Sequence, residues 1–223
     1  MIVLPIITTV LCILSVCVFF VDRKDNRETN DNNLLKEKNL IPKSFIIYLS
    51  VMIVITIAMS VAFCYMYKDA NLWSKIKKLS LLAIVWPIAY IDFKTYRIPN
   101  IFILYGLVVR VVILGFELLL DSNFTWMTVL SELIAAGALF LGALLCSLCM
   151  KNAIGYGDIK LFIVMGLMLG LSSMWSAIFV SLILSFFLAL FLLIFKKKSR
   201  KDTIPFAPTI VLGTYLSIFF NGV

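Results

Sequence analysis

The chain contains no histidine. That removes imidazole from every mechanism open to it: no Ser-His-Asp or Cys-His nucleophile, no HExxH zinc site, no imidazole proton relay. Acidic residues are few, 12 in 223. Of the five cysteines (Cys12, Cys17, Cys64, Cys146 and Cys149), only Cys146 and Cys149 have a CxxC spacing. They lie in an apolar run beside Leu144, Leu145 and Leu148, and no second pair completes a four-thiolate zinc site. They read as small residues on a helix face, and neither a metal nor a cofactor is expected. Acid–base chemistry is left to Asp, Glu, Lys, Tyr or Cys, and the missing histidine points toward carboxylates.

What the sequence has in abundance is apolar surface. Hydrophobic residues make up 62% of it and the mean hydropathy is +1.06, far from the roughly 45–50% apolar content of soluble domains. Several runs approach or exceed the roughly 20 residues that cross a bilayer. The expected fold class is an all-α, polytopic membrane protein with about eight transmembrane helices, six to eight fitting the pattern. The net charge of +8 belongs with that reading. Lys and Arg near span ends set orientation, so the lipid bilayer is the expected partner and nucleic acid is not.

Along the chain, residues 1–79 hold two N-terminal membrane segments, 1–21 and 44–67, separated by a polar, asparagine-rich loop at 22–43. The first reads as a retained span, because it has no basic n-region and no small-x-small cleavage site. Residues 68–78 form a short amphipathic piece: Leu72, Trp73 and Ile76 recur at helical spacing and Lys75, Lys77 and Lys78 face water, as in an interfacial helix. Residues 80–223 form the membrane-embedded core. A short third run, 79–93, ends at Asp92. Pro99 forces a break between Lys94 and Ile98, with a fourth helix from about Pro99 to 119. A fifth span covers 126–150, where Gly137 and Gly142 permit close helix contact. A turn at 151–160 carries Gly155, Gly157 and Asp158, followed by a sixth span at 159–173 and a seventh at 174–195. Pro205 and Pro208 flank the start of an eighth.

The cluster Lys196-Lys197-Lys198-Ser199-Arg200-Lys201 marks the cytoplasmic side. Counting back from it places the 151–160 turn and Asp92–Arg97 inside and the acidic 117–125 loop outside. The basic 68–78 piece falls outside, against the positive-inside rule: either the rule yields to the more basic loops elsewhere, or one of the first two segments does not fully cross. Arg110, in the middle of the fourth run, must face protein or snorkel outward, with Glu117 or Glu132 as partner.

Asp92 and Asp158 each end or begin a long apolar run, where an acidic side chain costs about 2.5–3.5 kcal/mol to insert at mid-helix depth. Two carboxyls brought together from different helices share a proton, because both cannot ionise cheaply. One can then take a proton from water while the other hydrogen-bonds a peptide carbonyl, the pair titrating as a unit. Gly155 and Gly157 can take positive φ and carry no side chain, so the backbone can open there toward a substrate strand. Tyr156 between them is expected to pack rather than react.

Three ordered motifs carry a resemblance: Asp92 followed by Arg97-Ile98-Pro99-Asn100; Gly155-x-Gly157-Asp158-x-Lys160-Leu161 with Gly166 and Gly170; and Ile204-Pro205-Phe206-Ala207-Pro208. In order and spacing over roughly residues 80–220, the chain resembles the type IV prepilin peptidases, GxGD membrane aspartic proteases related to archaeal preflagellin peptidases. The resemblance implies a leader peptidase that cuts a basic leader from prepilins or pseudopilins, next to glycine, at the cytoplasmic face of the cytoplasmic membrane. It assigns catalysis to Asp92 and Asp158, with Gly155, Gly157, Pro99 and Asn100 as active-site backbone. Arg97 and Lys160 remain substrate contacts or local ion-pair partners. Pilus or secretion assembly proteins are implied as partners. Two departures stand out. Ala207 occupies the glycine position of the IPFGP stretch, and residues 22–43 lack the CxxC…CxxC segment of relatives that also N-methylate the trimmed pilin, so methyl transfer is not expected. Two other readings remain open: a small ion- or proton-coupled transporter using both aspartates, and a non-catalytic assembly subunit in which they are dispensable.

Overall fold

A computed structural model describes residues 3–28, 43–68, 70–149, 155–195 and 206–221. Within them, long runs of Leu, Ile, Val and Phe satisfy their backbone internally as helices, the state that lipid demands of a spanning segment. Seven helices result, with no strand among the described residues: α1 (Val3–Glu28), α2 (Lys43–Met66), α3 (Leu72–Thr95), α4 (Asn100–Leu120), α5 (Trp126–Cys149), α6 (Tyr156–Ile194) and α7 (Ala207–Asn221). Five of them, α1, α2, α4, α5 and α6, are long and apolar enough to cross a membrane. The chain is an all-α polytopic membrane protein. Most of the 22–43 loop, the 196–201 basic cluster, Pro205 and part of the 151–160 turn lie outside the described residues.

α6 is two limbs, 156–169 and 171–194, joined at Gly170, whose φ of 68° and ψ of 178° lie in a region open essentially to glycine alone. The expected sixth and seventh spans are these limbs, with the break a few residues earlier than the 173/174 boundary. The first limb lies against α5 so closely that a Cβ on Gly166 would sit 2.5 Å from the Ala136 backbone. The second packs on α7, where Ser176 and Ser217 share a hydrogen bond. Close approach thus falls at Gly166 rather than at Gly137 and Gly142, where an added Cβ would meet nothing within 4 Å.

The interfacial piece at 68–78 does not exist as a separate element. Asn71 caps α3 by accepting from the Trp73 N–H at 2.9 Å, and the helix then runs unbroken to Thr95. Lys75, Lys77 and Lys78 are buried along it, not turned to water. They are interior groups of a helix, so their charge is no simple orientation signal of an exposed loop.

Pro87 sits inside α3 and has no N–H to give the Ala83 carbonyl. The Ser15 hydroxyl of α1 lies 3.0 Å from that carbonyl, and Tyr105 of α4 reaches the Leu11 carbonyl at 3.3 Å. These polar contacts seat α1 on the core. α3 is the central rod: Leu81, Ile84, Val85 and Ile88 are fully buried, and α3 packs against α1, α2, α4, α6 and α7.

Candidate active site

The site assembles where α3 ends. Tyr96 takes a left-handed conformation (φ 53°, ψ 33°) and its N–H closes on the Asp92 carbonyl at 2.8 Å. For a residue with a Cβ this is uncommon, and it terminates the helix as a left-handed cap. Pro99 then opens α4 as its N-cap in extended conformation, so the break falls between Lys94 and Ile98 as the proline predicts. The turn leaves Asp92 in the last turn of α3, facing inward and only 6% exposed.

Three other segments close around it. Ala207, first residue of α7, donates its backbone N–H to Asp92 Oδ2 at 3.1 Å. A helix N-terminus carries unsatisfied N–H groups and a partial positive charge, which suits a carboxylate. Its neighbour Phe206 packs edge-on against Phe162 of α6, with ring centroids 5.9 Å apart, tying the start of α7 to the first limb of α6. That limb also meets the α3–α4 turn. A Cβ on Gly157 would lie 2.9 Å from Ile98 Cβ, and Lys160 donates to Asn100 Oδ1 at 2.8 Å.

This packing delivers Asp158, in the first turn of α6, to the same end of the bundle as Asp92, close enough for the two carboxyls to interact electrostatically. Asp158 is half-buried. Its Oδ2 would be 3.2 Å from a Cβ on Gly155, while its buried Oδ1 has no hydrogen-bond partner among the described residues. α2, the last turns of α3 and the start of α7 bound a cleft of about 550 Å³ that includes Trp86, Phe93 and Pro208.

Each residue singled out in the sequence now has a place. Asp92, Asp158, Gly155, Gly157, Pro99, Asn100 and Lys160 gather at this end. Gly155 and Gly157 do so without positive φ, which among the described glycines occurs only at Gly170. Gly155 is an extended N-cap, and Gly157 is a contact surface for Ile98. Tyr156 is 77% exposed and does not pack. Arg97 is exposed and has no polar partner among the described residues. Cys146 and Cys149 are exposed and free, and the described residues contain no His/Cys/Asp/Glu group suited to a metal.

The sequence reading missed the backbone N–H of Ala207. A main-chain donor leaves no residue-type signature, and only the proline-flanked helix start hinted at it. The glycine-to-alanine departure there is harmless to the contact: Ala207 has an ordinary negative φ and is fully buried, and alanine offers the same N–H.

Neither curated proteins nor solved structures gave a match to the chain. A sequence model of the type IV leader peptidase family matches residues 79–194, more than half of the chain. The matched span runs from α3 to the end of α6, taking in Asp92, the Arg97–Asn100 turn and Gly155–Lys160. On that match, the chain belongs to the type IV leader peptidase family.

Proposed function

We propose that this peptidase is an aspartic prepilin leader peptidase in which Asp92 and Asp158 act as one catalytic pair. The observation that carries the reading is the arrival of two carboxyls from separate helices at one end of the bundle, within electrostatic reach of each other. One is tethered by the Ala207 N–H, and the other keeps a buried oxygen without a partner. A carboxylate oxygen in that condition is the acceptor that a water or a substrate would engage.

In the proposed reaction the ionised member of the pair takes a proton from water, and the water oxygen bonds to the scissile carbonyl carbon. The protonated member hydrogen-bonds the carbonyl oxygen as charge develops there. Collapse of the tetrahedral intermediate breaks the C–N bond, and the departing amine takes the proton back. The products are a free leader and a trimmed pilin or pseudopilin, with no methyl transfer in the scheme. The site is assigned to the cytoplasmic face by the charge count from the 196–201 cluster, which puts both aspartates on the side where a basic leader waits. Pilus or secretion assembly proteins are the downstream partners in this reading.

The test is cleavage by the full chain in liposomes of a prepilin whose Lys/Arg-rich leader precedes glycine. Wild type should release the leader, and Asp92→Asn and Asp158→Asn should each lose about 10²–10⁴-fold in rate while eluting and melting like wild type. Wild-type cleavage by either variant would remove the pair mechanism, and cation transport in place of cleavage would favour the transporter.

A further inference from the structure

At the opposite end of the same helices lies a second polar assembly. Lys77 of α3 meets Glu117 Oε1 at 3.0 Å and Glu132 Oε1 at 2.5 Å. Arg110 of α4 meets Glu117 Oε2 at 3.0 Å and also pairs with Glu132 Oε2. All four side chains are buried. Two cations and two anions thus close a ring in which each carboxylate is held by both cations.

The ring is joined to the break in α6. At Gly170 the helix loses its regular bonding: the Leu171 N–H goes to Ser131 Oγ at 3.2 Å, and Arg110 Nε donates to the Leu167 carbonyl at 3.2 Å. The cluster therefore grips α3, α4, α5 and the far end of the 156–169 limb together. By helical rise, Lys77 lies about 22 Å along α3 from Asp92, and Leu167 about 13 Å along α6 from Asp158. Such a cluster is weak evidence of a role in stability alone, since buried ion pairs can often be replaced by apolar side chains at no cost.

We propose that Lys77, Arg110, Glu117 and Glu132 are positioning residues that fix the axial register of α3 against the first limb of α6, and through it the separation of Asp92 and Asp158. This rests on the aspartate-pair reading above, and its test includes a measurement independent of cleavage.

The full chain in liposomes, on a cysteine-free background, carries spin labels at the exposed positions 93 and 156, one beside each aspartate. The variant is Lys77→Met with Glu117→Gln, which removes one cation and one anion and leaves the Arg110–Glu132 pair intact. The wild-type distance distribution should be narrow and the variant's broader or displaced, with kcat down about 10–100-fold and KM for the prepilin within about twofold. Lys77→Arg with Glu117 intact, which keeps the cation and both anions, should match wild type in both readouts. Arg110→Lys is the milder second variant, keeping the charge but losing the fork that joins both glutamates and the Leu167 carbonyl. It should show the same effects, reduced. An unchanged distance distribution in both variants overturns the proposal whatever the activity does. If wild type leaves the prepilin uncut while the variant's distribution still broadens, the register proposal stands and the peptidase reading falls.

Discussion

Gly157→Ala is the smallest change that should separate a correctly folded bundle from a working site. The added Cβ would lie 2.9 Å from Ile98 Cβ, 3.4 Å from Ile98 Cγ1 and 3.6 Å from the Ile98 nitrogen. Carbon atoms rest at about 3.5–4.0 Å, so the α6 N-terminus must retreat from the α3–α4 turn by roughly 0.6–1 Å. The obstructing atom is a Cβ, fixed to the backbone, so no side-chain rotation relieves it. Overpacking of this kind costs about 1–3 kcal/mol. Asp158 is the next residue, and it moves with the retreat. A misplacement near 1 Å can cost about 10²-fold in rate, so kcat for prepilin cleavage should fall about 10–100-fold with the fold retained. Gly115→Ala is the matched control. Nothing lies within 4 Å of its Cβ position in the interior of α4, and it should leave cleavage unchanged while gaining up to about 1 kcal/mol of helix stability. The assay is initial-rate cleavage in liposomes beside thermal unfolding of each variant. A Gly157→Ala protein that cuts at the wild-type rate would refute the claim that the Ile98 contact places Asp158.

Ala207 offers a second test, because its contact with Asp92 is made by the backbone alone. Ala207→Gly keeps the N–H on Asp92 and should stay within about threefold of wild-type activity, whereas Ala207→Pro removes a hydrogen bond to a charged group worth about 1.5–3 kcal/mol and should cut the cleavage rate at least tenfold; equal rates would show that Asp92 does not depend on α7. Gly170→Ala puts a side chain into backbone geometry that only glycine adopts readily, at a cost of about 1–3 kcal/mol, and should appear as a lower unfolding temperature in detergent; an unchanged melt would mean the break relaxes without strain.

Much of the candidate site was legible because its signals are local. Pro99 dictates the break after Asp92, the apolar runs dictate the helices, and carboxylates at the ends of such runs stand out against their cost in lipid. The rest depended on contacts between distant residues. Three lysines within Lys75–Lys78 look like a water-facing stripe when α3 is read alone, and Lys77 becomes an interior group only once Glu117 and Glu132 arrive from α4 and α5. Those two glutamates were recognisable as partners for Arg110, but their second cation was not. Gly155 and Gly157 suggested an opened turn with positive φ, while the folded chain uses Gly157 as a surface, and glycine-only geometry among the described residues falls at Gly170. The Ala207 N–H had no residue type to betray it.

The most direct measurement of the central claim is a structure of the full chain bound to a prepilin-derived peptide whose scissile bond is replaced by a hydroxyethylene isostere. The isostere hydroxyl is expected between Asp92 and Asp158, within hydrogen-bond reach of a carboxyl oxygen from each. A peptide seated with its hydroxyl away from either aspartate, or two carboxyls that face separate compartments in that complex, would contradict the pair mechanism.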